Sequence, residues 1–123
     1  VRVASGAAAV TCLIDLDTLH ELREVMAQEF DELIEAYLSD TGTRIDEVRA
    51  AAVAKDAYQL RELVHSLKGS CSNIGAVALA RCCQDVEKIA KDGELDGVVD
   101  LIDEIQRQFL EVRSALIQEL GAA

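Results

Sequence analysis

No proline occurs anywhere in the 123 residues, and this absence limits the possible folds more than any other feature of the sequence. Proline ends or kinks helices and is frequent in the turns between short strands, so a chain without it favours long uninterrupted helices. Aromatic residues make up only 3% of the chain, whereas half of all residues are apolar. We therefore predict a single all-α domain whose hydrophobic core needs no metal or disulfide support.

The beginning of the chain predicts a tail followed by a short helix. The first eleven residues are small and weakly apolar, and we interpret residues 1–14 as a tail or linker, which leaves 15–123 as the folded domain. The first helix is predicted over 18–26, with Asp17 as its N-cap. The apolar residues expected to face inward from this helix are Leu19, Leu22 and Val25.

Four longer helices are predicted after the first, because apolar residues recur at alternating steps of three and four. Glycines end two of them, and the links are short, which makes consecutive helices antiparallel neighbours. The predicted architecture is an antiparallel four-helix bundle (up-down-up-down) with a short additional N-terminal helix. A long coiled coil is the alternative, but glycines interrupt its heptads. The predicted helices span about 28–55, 57–73, 76–92 and from about 97 onward, with Gly75 and Gly93 as the stops.

The net charge of −11 argues against several classes of partner. A surface this acidic repels nucleic acid and anionic lipid, and it keeps a small protein monomeric. No apolar run approaches the roughly 18–20 residues of a membrane span. The chain begins with Val1 rather than Met, which favours a fragment of a longer polypeptide. We expect a monomer without nucleic-acid or membrane contact.

The four cysteines do not have the spacing of a metal site. None belongs to a CxxC pair, and neither histidine stands at ligand spacing from two cysteines. Buried, reduced thiols in a cytoplasmic protein are the favoured interpretation. The cysteines are Cys12, Cys71, Cys82 and Cys83.

The third predicted helix places a histidine on its exposed face. At about 100° per residue, the apolar residues of this helix fall on the side opposite His65. Within about 60° of His65 lie Arg61, Lys68, Gly69 and Ser72. A histidine in this position is not a buried structural residue.

The neighbours of His65 favour a reactive residue over an idle surface histidine. Gly69 costs a helix about 1 kcal/mol relative to alanine, and an exposed face has no steric need for it unless another molecule approaches closely. Ser72 continues the strip of small residues, and Arg61 and Lys68 supply positive charge. A neutral imidazole beside cations and open space suits nucleophilic attack on a phosphoryl group.

The segment from His65 to Gly75, HSLKGSCSNIG, resembles the signature of histidine phosphotransfer (HPt) domains: H-x-L-K-G, a small polar run, then I/L-G. The resemblance continues at Ala76, Leu79, Cys83 and Glu87, and in helix order it covers about 15–120. It implies that His65 accepts the phosphoryl group at Nε2, that Lys68 contacts the phosphoryl oxygens, and that Gly69 leaves room for the partner. It also implies that Asn73 and Gly75 shape the helix end.

The resemblance further implies a phosphorelay intermediate that binds the receiver domain of a hybrid sensor histidine kinase, a response regulator, or both. No cofactor is expected, since magnesium belongs to the receiver, and no ATP site. The expected location is the cytoplasm, or the cytoplasmic end of a membrane-bound hybrid kinase. The alternatives are a non-transferring module that sequesters or scaffolds receivers, and the phosphoacceptor helices of a histidine kinase. The kinase motif typically has an acidic residue after its histidine, where this chain has Ser66.

Other exposed residues are interpreted more plainly. His20 is expected to be solvated rather than a second site, and Tyr58 is equally consistent with a partner contact and with a partly exposed side chain. In the fourth helix, solvation is favoured over a docking role for Arg81, Gln84 and Lys88.

Overall fold

The structure is a computed structural model that describes residues 14–121. These residues form five α-helices and one 3₁₀ turn, Ala27–Glu29. The helices are α1 (Leu16–Met26), α2 (Phe30–Val53), α3 (Ala57–Ile74), α4 (Val77–Asp92) and α5 (Val98–Gly121).

The four long helices form a closed bundle, as predicted from the sequence. Helix α3 packs against α2 and α4, and α5 packs against α4 and α2, so each long helix has two neighbours. Helix α1 lies across α2 and α3 at one end of the bundle. Every long helix contributes one apolar stripe to a common core. The largest fully buried side chains include Phe30, Ile34, Ile45, Leu60, Leu67, Leu79, Ile102, Ile105 and Leu116.

The core begins earlier in the chain than the helices do. Ile14, the last residue of the predicted tail, is completely buried. Residues 1–13, which hold the rest of that tail and Cys12, lie outside the described residues, so the domain boundary stays a prediction. Three other cysteines carry free thiols: Cys71 and Cys83 are buried in the core, and Cys82 is half-buried.

Helix α1 differs in two details from the prediction. Its N-cap is Asp15 rather than Asp17, because the extended backbone at Asp15 lets its Oδ1 accept from the Asp17 amide at 3.1 Å. Val25 is 80% exposed instead of turned inward. On the helix Val25 lies about 120° from the buried Leu19, whereas Met26 lies about 20° from it and packs against the core.

Helix α2 is shorter than predicted at both ends. Ala27 has φ 49° and ψ −114°, which interrupts the helix after α1 and delays the start of α2 to Phe30. At the other end Lys55 has φ 58°, and Asp56 then caps α3 by accepting from the Gln59 amide at 3.0 Å. Both helix ends depend on a positive φ at a residue other than glycine, which the pattern of apolar residues does not predict.

The turn between α3 and α4 follows the prediction at Gly75. This residue has φ 86°, its amide donates to the Ser72 carbonyl at 3.1 Å, and the Ala76 amide donates to the Cys71 carbonyl at 2.8 Å. These two bonds form a Schellman motif, for which glycine is the favoured residue. A Cβ on Gly75 would also lie 3.0 Å from the Asp15 carbonyl oxygen. The tight turn sets how α3 and α4 face each other.

The described helices are amphipathic, with charged residues along their outer faces. Over residues 14–121, no helix is both long enough and apolar enough to cross a lipid bilayer.

Candidate functional site

His65 lies on the outer face of α3, as the helical geometry predicts. Its side chain is 67% exposed, whereas the flanking Val64 and Leu67 are buried. Because Val64 and Leu67 anchor α3 in the core, the position of the His65 ring is set by the backbone of a packed helix. The imidazole is therefore accessible and held on a rigid element.

A glutamate on α4 binds two of the predicted site residues at once. Glu87 Oε2 lies 2.8 Å from His65 Nδ1, and Glu87 Oε1 accepts from Lys68 Nζ at 2.7 Å. The Glu87 side chain is only 18% exposed, so this pair of contacts is shielded on one side by the bundle. We did not predict a role for Glu87 from the sequence, although it lies about as far after Gly75 as His65 lies before it. The available signals were this similar spacing on either side of the turn and the resemblance to Hpt domains, which extends to Glu87.

The charge on Glu87 determines which His65 nitrogen carries the proton. The hydrogen bond from Lys68 lowers the pKa of Glu87 below its ordinary value of 4.5, against the opposing effect of burial. The carboxylate is therefore ionised at neutral pH and can only accept hydrogen bonds. His65 Nδ1 must then donate, so a ring that carries one proton carries it on Nδ1 and has its lone pair on Nε2.

The predicted patch of positive charge beside His65 needs a correction. Lys68 is 29% exposed, and its ammonium forms an ion pair with Glu87 rather than standing free. Arg61, one turn before His65, is exposed. The immediate surroundings of the ring thus contain a cation and an anion that largely offset each other.

Gly69 leaves open space on the face of α3 that carries His65. A Cβ built at this position meets no atom within 4 Å. The fold itself therefore has no steric need for glycine here. Ser72, one further turn along, is also exposed. The strip of small residues that the sequence predicts is present as an uncovered surface.

The hydrogen bonds that end α3 come from the backbone amides of Gly75 and Ala76. The Asn73 side chain takes no part in these bonds. Asn73 lines a groove of about 500 Å³ between α1, α2 and α3. Arg44 of α2 lines the same groove, and its guanidinium donates to the Ser66 hydroxyl. The apolar part of the wall is formed by Leu22, Met26, Leu33, Leu67 and Ile74, among others.

The remaining residues singled out from the sequence are exposed, and within residues 14–121 none of them bonds to His65, Lys68 or Glu87. His20 lies on α1, where its Nε2 is 3.6 Å from Glu119 of α5. Tyr58 is 71% exposed near the start of α3. On α4, Arg81, Gln84 and Lys88 are exposed.

Comparison with known proteins places these features in a known context. The family model of the Hpt domain matches residues 32–120. Histidine-containing phosphotransfer protein B (HptB) from Pseudomonas aeruginosa PAO1 is 38% identical, with a TM-score of 0.87, over 90% of this chain and 96% of that chain. The maize histidine-containing phosphotransfer protein ZmHP2 shares the fold at 22% identity, with a TM-score of 0.81, over 98% of this chain and 94% of that chain. The search of curated proteins gave no match.

Proposed function

The chain belongs to the Hpt domain family, and from this premise we propose that it accepts a phosphoryl group on His65 from a receiver-domain aspartate and passes it to a response regulator. The observation that carries the proposal is the contact between His65 Nδ1 and Glu87 on an otherwise exposed ring. The 38% identity to a bacterial histidine-containing phosphotransfer protein supports it.

The first step is nucleophilic attack by the imidazole. The Nε2 lone pair of His65 forms a bond to phosphorus, and the bond between phosphorus and the aspartyl oxygen of the receiver breaks, releasing a carboxylate. The ring keeps its Nδ1 proton and becomes positively charged. Glu87, already 2.8 Å from Nδ1, offsets that charge as it develops. The reverse sequence, on a second receiver, returns the ring to its neutral state.

Lys68 and Gly69 have complementary roles in this proposal. The ammonium of Lys68 has three donors, and only one is needed for Glu87, so the others are available to the phosphoryl oxygens. The open space beside Gly69 admits the receiver's active site. Arg61 and Ser72 lie on the same face and border the approach. Gly75 ends the helix that carries the site, and Asn73 lines the adjoining groove.

The partners proposed are the receiver domain of a hybrid sensor histidine kinase, a response regulator, or both. The receiver is proposed to supply magnesium and the catalysis of transfer, so that the chain acts as a monomeric phosphocarrier without an ATP site of its own. A cytoplasmic location, alone or as part of a hybrid kinase, follows from such partners.

The direct test is transfer of ³²P from a phosphorylated receiver to the purified chain. We expect label on the wild type and none on His65→Gln. His20→Gln serves as the matched control, because His20 is also exposed and near a glutamate, and it should be labelled like the wild type. Undiminished labelling of His65→Gln would refute the assignment. Receiver binding without any transfer by the wild type would instead support the scaffolding alternative.

A further inference from the structure

Arg44 differs from the other basic residues of the acidic segment 16–53. Arg23 forms an ion pair with Glu119, and Arg49 forms one with Asp103. Arg44 contacts a neutral partner, the hydroxyl of Ser66, and within residues 14–121 no carboxylate oxygen lies within 4.0 Å of its guanidinium. Arginines on other helices, such as Arg61 and Arg113, also have no carboxylate partner within the described residues, so the contrast holds for segment 16–53.

The guanidinium of Arg44 retains unused binding capacity. It has five N–H donors in a planar fork, and the Ser66 hydroxyl occupies one of them. Such a fork matches the two oxygens of a carboxylate, and a charge-assisted bidentate contact is among the stronger polar interactions in proteins. The Ser66 contact holds the side chain across α3 and so reduces the entropy lost when a ligand binds.

The unused N–H donors of Arg44 lie close to His65, the proposed phosphoryl acceptor. Ser66 directly follows His65, and Arg44 lines the groove that runs from there between α1, α2 and α3. Lys68, the cation on the other side of His65, is already paired with Glu87. A protein that covers both His65 and the groove therefore passes over Arg44.

We propose that Arg44 is a recognition residue that binds a carboxylate side chain at the edge of the receiver's docking face. This inference rests on the proposed function and adds a specificity determinant to it. The acidic surface of segment 16–53 repels an acidic side chain of the partner, whereas Arg44 attracts it. Because one part of this surface repels the acidic side chain and Arg44 attracts it, the receiver binds in one orientation. The role is one of docking and not of chemistry on the phosphoryl group.

The test compares transfer kinetics from a phosphorylated receiver to Arg44→Ala, Arg44→Lys and the wild type. We expect Arg44→Ala to raise the KM for the receiver about tenfold, as loss of one charged hydrogen bond predicts, with little change in kcat. Arg44→Lys should recover part of the loss, since lysine keeps the charge but not the fork. Arg113→Ala, at an exposed arginine of α5, is the matched control and should leave KM unchanged.

Two further measurements distinguish a docking role of Arg44 from an effect on His65 or on the stability of the bundle. Phosphorylation of His65 by phosphoramidate, a small donor that needs no docking, should be equal in Arg44→Ala and the wild type. Melting temperatures of the variants should agree with the wild type, because the Ser66 contact is at the surface. A slower reaction of Arg44→Ala with phosphoramidate would show that Arg44 acts on His65 itself and would overturn the docking role.

Failure of this inference can be told apart from failure of the proposed function. An unchanged KM in Arg44→Ala, in a chain that does accept phosphoryl groups from the receiver, contradicts the role of Arg44 alone. Receiver binding that Arg44→Ala weakens in titration calorimetry, without transfer to the wild type, contradicts the proposed function alone. The absence of both binding and transfer contradicts both.

Discussion

The two histidines of the chain lie in surroundings that share residue types but differ in geometry. Each is exposed, and each faces a glutamate on another helix that also binds a cation. At His65 the distance from Nδ1 to Glu87 is 2.8 Å, which is a hydrogen bond, whereas His20 Nε2 lies 3.6 Å from Glu119, which is too far for one. The residue types around each histidine therefore do not distinguish the proposed phosphoryl acceptor from the other histidine.

The cation in each cluster has a different task. At the His20 end, Arg23 donates to the Glu119 carbonyl at 2.7 Å and lies over the Phe30 ring at 4.8 Å from its centroid, so it holds α1 against α5 and α2. At the His65 end, Lys68 and Glu87 lie beside an uncovered strip of α3. The first cluster is a structural contact between helices, and the second leaves a ring nitrogen facing open space.

We expect the largest difference between the two histidine clusters when the glutamate of each is replaced and the rate of phosphoryl transfer is measured. Glu87→Ala deletes the acceptor of the Nδ1 proton and the charge that offsets the phosphorylated ring, so the transfer rate should fall roughly ten- to a hundredfold. Glu119→Ala should leave the rate unchanged. Glu87→Gln, which keeps an acceptor oxygen without the charge, should fall between the wild type and Glu87→Ala. Stopped-time labelling with a phosphorylated receiver measures all three, and equal rates in both alanine variants would contradict the role given to Glu87.

A second comparison uses two mid-helix glycines. Gly69→Ala and Gly42→Ala should each raise the free energy of unfolding by about 1 kcal/mol, because alanine is the better helix former. A Cβ at Gly42 would lie 4.0 Å from the Phe109 ring, an ordinary contact, and one at Gly69 meets no atom within 4 Å. Only Gly69→Ala should also slow phosphotransfer, since its methyl group occupies the space for the receiver.

Urea unfolding and transfer assays on the same two preparations test this pair. A stabilised Gly69→Ala that transfers at the wild-type rate would show that the open strip is not needed for docking. Slower transfer in both variants would point to a general effect of helix rigidity instead.

The smallest expected effect is a dependence of stability on pH. The folded-state pKa of Glu87 is lowered, chiefly by Lys68, so its ion pair contributes fully above the ordinary value of 4.5 and is lost as pH falls through the lowered value. The wild type should therefore have a larger free energy of unfolding than Glu87→Gln at neutral pH, and this difference should shrink as the pH falls below 4.5. Urea unfolding of both proteins across that pH range measures this difference. A difference that stays constant with pH would contradict the lowered pKa of Glu87.

The sequence predicted the parts of the fold that depend on periodicity and on special backbone positions. Gly75 and Gly93 both adopt the left-handed conformation expected of helix stops, at φ 86° and 81°. The exposure of His65 followed from the position of Leu67 and its apolar neighbours on the opposite face. These features are local, so a single helix contains the information for them.

The features that the sequence did not predict depend on neighbouring elements. The true N-cap, Asp15, is fixed partly because its amide donates to the Gly75 carbonyl at 2.7 Å, a contact between distant parts of the chain. The role of Glu87 needed the register of α3 against α4. The interruption at Ala27 arises from a positive φ in a residue that does not favour it.

The assignment of His65 as the phosphoryl acceptor is best checked by locating the phosphoryl group on the ring. The chain, labelled with ¹⁵N in histidine, is incubated with a phosphorylated receiver, and its imidazole resonances are followed by NMR. We expect a phosphoryl group on Nε2 of His65, with Nδ1 still protonated and the His20 resonances unchanged. Phosphorylation of His20, or of His65 at Nδ1, would contradict the assignment.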